Sequence, residues 1–386
     1  MLDAGAVGLI VVVIRSATVQ LNSGSATQIG LVYRFRFVIA FAIASTFPVS
    51  RLAYAQPTPA PEQPPAAAEA KYLSNITQLT FDSMGFTKAG EAYFSPDGKS
   101  IIFQAVPKKE GIGESDYQIY TLDLASKSPR MVSTGKGACT CAFYRPDGKK
   151  IIFASSHLDP TLGQPKPPKP AGAYNWDFNE YMDIFEANPD GTDLKRLTDA
   201  KGYDAEGSYS PDGKRIVFTS MRDGDQEIYV MNADGTDQKR LTNGKGYDGG
   251  PFFSPDGKSI VYRGDRRDDG KQNLQIRMID ADGKNDRALT DNQIFNWCPF
   301  WYPNGKGFIF TQADHAAYAR GEKPNYDLYM MKPDGSDVTR ITFDPAFDGL
   351  PVFSPDGKKM MWTSKRGGLS EAQVFIADFK LPDAFR

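Results

Sequence analysis

The chain is poor in the residues that do metal and nucleophilic chemistry. It has two His and three Cys in 386 residues. Two His allow at most one imidazole pair, His157 with His315, for a catalytic or metal site, and both can equally be ordinary loop residues. Three Cys do not make a disulfide framework. No His-Glu-x-x-His, no Gly-x-Ser-x-Gly and no phosphate-cradling glycine loop occurs, which removes the commonest sequence signs of metallopeptidases, serine hydrolases and nucleotide-binding enzymes. One sign of charge does not dominate either. Lys and Arg number 45 against 47 Asp and Glu, a formal net charge of −2. That balance offers no electrostatic reason to bind nucleic acid or an anionic membrane surface.

What the chain has in abundance is one turn. Phe94–Lys99, Tyr144–Lys149, Tyr209–Lys214, Phe253–Lys258, Trp301–Lys306 and Phe353–Lys358 are six copies of one phrase. Five read Pro-Asp-Gly-Lys and the fifth in order reads Pro-Asn-Gly-Lys, each with an aromatic residue two before the proline. Proline presets φ, Asp or Asn suits the second turn position, and glycine accepts the left-handed conformation. Apolar alternation follows, as in Arg215–Thr219, so each copy joins two strands of a hairpin. The prolines at 96, 146, 211, 255, 303 and 355 lie 50, 65, 44, 48 and 52 residues apart. This period, with several short strands per unit, predicts an all-β, six-bladed β-propeller.

Blade three shows the strands most plainly. Glu206–Ser210, Arg215–Ser220, Glu227–Asn232 and Gln238–Thr242 are separated by turn residues. The last blade has no fourth Leu-Thr strand after Gln373–Asp378, whereas Ile76-Thr77-Gln78-Leu79-Thr80 precedes the first turn with no blade of its own. This N-terminal strand is expected to complete the last blade and remove a bare edge.

The N-terminal segment reads differently. Arg34 and Arg36 precede an apolar run, Phe37 to Phe47, and Ala53-Tyr54-Ala55 follows. Residues 1–55 therefore read as a signal segment cleaved after Ala55, with a true start near Leu31 or Val32 and an uncleaved anchor as the alternative. No Cys follows the signal, so no lipid anchor is expected. Residues 56–75 read as a Pro/Ala-rich linker, and residues 76–386 as the propeller. A periplasmic or secreted monomer with no stable membrane span follows.

Phrases such as Ile216-Val217-Phe218-Thr219-Ser220, Ile228–Gly235 and Lys239-Arg240-Leu241-Thr242 resemble the TolB-type propeller, a WD40-like, PD40-repeat family of bacterial envelope proteins. The resemblance covers roughly residues 76–378. It implies a module that binds an envelope protein or peptide. The alternative is a metal-assisted hydrolase or lyase acting on peptide or glycan through channel carboxylates. Sugar lyases on related propellers place several His in the channel, and two His argue against that. No resident cofactor is expected, with a divalent cation in the channel under the alternative.

Candidate binding residues follow from strand order. Asp204, Asp248, Asn296 and Asp348 stand seven before the turn proline and are expected around the channel mouth, with Glu91 and Glu206 two further along. Such a ring suits a cation or the basic groups of a peptide; the same Asp side chains could instead cap local turns. Trp297 is an aromatic candidate at the mouth or in the core. Long insertions, Ser155 to Met182 and Ala313 to Asn325, belong to opposite blades on the same face. His157, Trp176, His315 and Tyr318 could line a groove between them. Cys139, Cys141 and Cys298 read as small buried residues on first strands, with Cys139 and Cys141 on one side.

Overall fold

The computed structural model describes residues 65–108, 116–164, 178–266 and 273–386. All lie in one compact unit, Ala60–Arg386. The signal reading of residues 1–55 and Trp176 fall outside the described residues.

Six four-stranded antiparallel sheets make up the fold. In blade three the strands are Asp204–Tyr209, Arg215–Ser220, Glu227–Asn232 and Lys239–Arg240. The first strands of neighbouring blades touch one another, so they are innermost and surround the axis. Blade six takes its outer strand from the N-terminus. Leu73–Gln78 pairs with Gln373–Phe379, Leu73 opposite Phe379 and Gln78 opposite Phe375. The closing strand starts three residues earlier than its sequence pattern suggests.

The chain ahead of that strand is also packed, where a linker was expected as far as 75. A helical turn, Pro65–Glu69, buries Glu69. Arg366 donates to Glu69 Oε1 and Oε2 at 2.6 and 2.8 Å, and the Phe343 amide donates to Oε2 at 2.9 Å. The carboxylate offers four lone-pair sites, and a bidentate guanidinium fits two of them.

The repeated turn is held by its own side chains. In blade three Ser210 Oγ and the Lys214 amide donate to Asp212 Oδ1, at 2.6 and 3.1 Å, and Gly213 has φ 69°. The Arg-Leu-Thr phrase has a matching role. Thr242 Oγ1 accepts from the Ile228 amide at 2.9 Å and donates to Glu227, which also takes the Arg240 guanidinium. Blade two repeats this with Arg196, Thr198 and Asp183, and blade five with Arg340, Thr342 and Asp327. Sheet faces between blades are filled by residues such as Ile216, Phe218, Tyr262, Phe310 and Trp362, all essentially buried.

Candidate functional site

Distance in sequence from the turn proline sorts the inner strands into layers. Three residues before it stand Tyr93, Phe143, Ser208, Phe252, Phe300 and Val352. The Tyr93 ring of blade one lies 5.1, 5.8 and 6.0 Å from the rings of Phe143, Phe252 and Phe300, in blades two, four and five. One residue reaches three other blades only at the axis. These rings plug the channel on the side of the Pro-Asp-Gly turns.

Five residues before the proline stand Glu91, Cys141, Glu206, Gly250, Cys298 and Leu350. All six have positive φ: 46, 53, 58, 59, 52 and 55°. Each first strand slips register there, as between Ala205 and Ser208. A bulge with one left-handed residue breaks the two-residue alternation and turns that side chain toward the strand edge. Hence Cys139 and Cys141 do not share a side. Cys139 contacts Ser155 and Gln118, whereas Cys141 faces Thr140 and Glu91. All three cysteines are buried free thiols, as expected of small buried residues.

The second strand supplies this layer laterally. Opposite the residue before each bulge stand Gln104, Ala154, Thr219, Arg263, Thr311 and Thr363. Thr219 donates to Glu206 Oε2 at 2.8 Å, Arg263 pairs with Glu206 Oε1, and Thr363 Oγ1 accepts from the Glu91 amide at 3.0 Å. Arg263 can arrive because Gly250 has no side chain; a Cβ there would collide with the guanidinium. Arg263 also donates to Tyr247 Oη at 2.7 Å, and the Gly250 amide donates to Glu206 Oε2 at 2.7 Å. Glu206 is thus compensated by a cation and further donors.

Glu91 differs. Burial, reinforced by the Glu206 charge and only partly offset by a hydrogen bond from the Cys141 thiol and by the Arg263 charge, lifts its carboxyl to about 7. The Cys141 and Cys298 thiols are pushed well up by burial, so they are not thiolates at neutral pH.

Eight residues before the proline stand Lys88, Ala138, Tyr203, Tyr247, Phe295 and Phe347, which form the mouth wall. Phe178 packs edge-on against Tyr203 at 5.2 Å, His315 stacks on Phe295 at 4.1 Å, and Tyr326 lies 5.2 Å from Phe347. Trp297 is half-buried beside Phe295, with ring centres 6.4 Å apart.

The expected ring of Asp204, Asp248, Asn296 and Asp348 is not presented to solvent. All four are at most 1% exposed. Arg222 meets Asp204 at 2.9 Å and Arg266 meets Asp248 at 2.7 Å. Asp348 accepts from Trp362 Nε1, Ser364 Oγ and Arg366 at 2.9, 2.7 and 2.6 Å. Asn296 donates to the Ile294 carbonyl and accepts from Gln312. Each ties a first strand to its own blade's loops. The reason is the bulge, which breaks the alternation: residues seven before the proline bond within their own blade, while those five and three before it face the axis.

His157 and His315 do not meet. His157 bonds Ser155 at 2.9 Å and packs on Phe185, while His315 bonds Tyr326 Oη at 2.8 Å. Burial lowers both imidazoles below their usual range. Tyr318 is 61% exposed on the blade-five insertion. Among the described residues no three His, Cys, Asp or Glu side chains converge to hold a metal ion.

Arg263 is the functional-layer residue that the sequence reading missed, since its partner lies 57 positions away. The cysteines carried a usable signal, because Cys141 and Cys298 share the offset of Glu91 and Glu206 from their turn prolines.

Comparison with known proteins agrees with this architecture. Residues 174–316 match the TolB beta propeller domain family, PD40. An uncharacterised protein of Agrobacterium fabrum is 31% identical over 127 residues, 33% of this chain and 34% of that one. A TolB homolog of Chlorobium luteolum is 44% identical over 52 residues, 14% of this chain and 12% of that one. The matched stretches thus span about a third or less of these relatives. The structure of a putative TolB from Agrobacterium tumefaciens superimposes with a TM-score of 0.53 at 22% identity, over 76% of this chain and 91% of that one, a likeness of fold. Repeat phrases, blade topology and the PD40 match over residues 174–316 converge on a six-bladed β-propeller similar to the TolB beta propeller domain family.

Proposed function

We propose that this propeller is an exported, periplasmic or secreted, module that binds a protein or peptide over the face carrying the channel mouth. The observation that carries the reading is the asymmetry of the channel. Aromatic rings close the end beside the regular turns. The other end is walled by Tyr203, Tyr247, Phe295 and Phe347. The insertions of opposite blades expose Leu158 and Leu162 on one side and Tyr318 on the other. Exposed apolar side chains flanking a concave mouth suit a polypeptide with apolar anchors.

The test is affinity capture from envelope extract with the wild-type chain and with Leu158→Ser, Leu162→Ser and Tyr318→Ser combined. One protein captured by the wild type and lost by the folded triple variant is expected. Capture indifferent to the triple change refutes the reading. The metal-assisted hydrolase or lyase alternative has less support, because Glu206 is already neutralised by Arg263. No helix among the described residues is long and apolar enough to cross a membrane.

A further inference from the structure

The channel layer holds two carboxylates in unequal states. Glu206 is matched by Arg263, Thr219 and the Gly250 amide. Glu91 has only weak donors, the Cys141 thiol and Thr140 hydroxyl, and Thr140 Oγ1 is turned to Gln104 Oε1 at 2.6 Å. A carboxylate this enclosed is costly when ionised and becomes favourable when a cation joins it.

A second observation points the same way. Thr311 is fully buried, and its Oγ1 has no hydrogen-bond partner. It stands opposite Trp297, at the register position that sends Thr219, Arg263 and Thr363 into this layer. The neighbouring Trp297 Nε1 is also buried without a partner. Buried polar groups are normally satisfied, so an orphan hydroxyl and an orphan indole N–H near one channel layer mark places for ligand atoms. The hydroxyl can accept from a cationic donor. The indole can donate only to an acceptor such as a peptide carbonyl.

We propose that the blind channel receives one cationic side chain of a bound polypeptide, an arginine or lysine, with Glu91 as its counter-ion and Thr311 as a second acceptor. This rests on the polypeptide-binding reading above and names the group recognised. The aromatic walls Tyr203, Tyr247, Phe295 and Phe347 suit the stem and the cation alike. The plug of Tyr93, Phe143, Phe252 and Phe300 sets the depth, so the channel takes a side chain and no through-going strand.

The groups facing Glu91 are Cys141, Thr140, Tyr93, Tyr203, Cys298, Glu206 and Arg263. Burial lifts the Glu91 carboxyl to about 7, within the neutral range. A cation then binds the ionised fraction. Between pH 8 and pH 6 that fraction falls, and apparent affinity falls with it by about tenfold.

The experiment uses the full chain and two probes, N-acetyl-arginine amide and its uncharged isostere N-acetyl-citrulline amide, followed by ligand-observed NMR. The arginine probe is expected to bind at pH 8 at least about tenfold tighter than the citrulline probe. Glu91→Gln should abolish that preference and flatten the pH dependence. Leu350→Lys provides a second variant should Glu91→Gln fail to fold. It places an internal ammonium in the same layer of the adjoining blade and should block the arginine probe. Equal binding of the two probes, absence of binding, or arginine binding unchanged in either variant overturns the inference. If the arginine probe fails while envelope capture still depends on Leu158, Leu162 and Tyr318, the inference falls and the broader reading stands.

Discussion

Replacing Gly250 by Ala should damage this protein far more than one methyl group suggests. Gly250 has φ 59°, and an alanine there would bear the left-handed penalty of about 1 kcal/mol. Five other blades tolerate that conformation with Glu91, Cys141, Glu206, Cys298 and Leu350, so φ alone is not decisive. The larger effect is steric. The new Cβ occupies the place of the Arg263 guanidinium. Arg263 is then driven from Glu206, and two largely buried charges, 8% and 14% exposed at their side chains, lose each other. Breaking a buried pair costs about 3–5 kcal/mol. The total is about 4–6 kcal/mol. A double-mutant cycle separates the terms. Arg263→Thr installs the residue that blades three, five and six carry at this register. In that background Gly250→Ala should cost only about 1 kcal/mol. Urea unfolding followed by circular dichroism, on all four proteins, measures the coupling. If Gly250→Ala costs the same in both backgrounds, the lateral entry of Arg263 through the glycine gap is wrong.

Three further outcomes are expected. Glu69→Ala removes a bidentate partner of Arg366 and the acceptor of the Phe343 amide, and should lower stability by about 1–3 kcal/mol, read as a lower urea midpoint. Phe252→Ala opens the plug, should cost about 3 kcal/mol and should speed alkylation of Cys141 by a small thiol reagent; an unchanged alkylation rate contradicts the plug. Glu91 ionises near 4.5 when free and about 7 in the fold, so the native state holds the proton longer. Its contribution is complete below about pH 4.5 and is lost as pH rises through 7. Glu91→Gln should therefore make stability fall less steeply between pH 5 and 8, measured as the urea midpoint at each pH.

The blades were legible because their signals are local. In the turn, each of Pro, Asp, Gly and the preceding Ser has a task completed within six residues, as Ser210, Asp212 and Gly213 show. The closing strand was legible for a related reason: a Leu-Thr phrase stood at the front with no blade to belong to. The channel was not legible, and one bulge accounts for most of that. Strict alternation puts Cys139 beside Cys141 and Asp204 beside Glu206. A left-handed residue at Cys141 and Glu206 separates each pair, sending one side chain into the sheet and the other to the axis. Nothing local announces this bulge, since its six occupants are Glu, Cys, Glu, Gly, Cys and Leu. Arg263 is hidden further, because it belongs to the layer through a gap left by Gly250 on another strand.

The same six occupants explain why a shared scaffold does not settle what the channel recognises. Backbone geometry at the bulge is uniform, with φ within a range of 46 to 59° in every blade. The chemistry it displays is not. Carboxylates come from blades one and three, a guanidinium crosses from blade four, and blades two, five and six offer thiols and a leucine. A ring of identical carboxylates would repel itself and favour a multivalent cation at its centre. Here the charge is lateral: Arg263 satisfies Glu206 on one side and leaves Glu91 across the axis with thiols for neighbours. A single monovalent cation completes such a layer without a metal and without displacing Arg263. The propeller fixes where the side chains of this layer point, and the residue chosen at each bulge fixes what they hold.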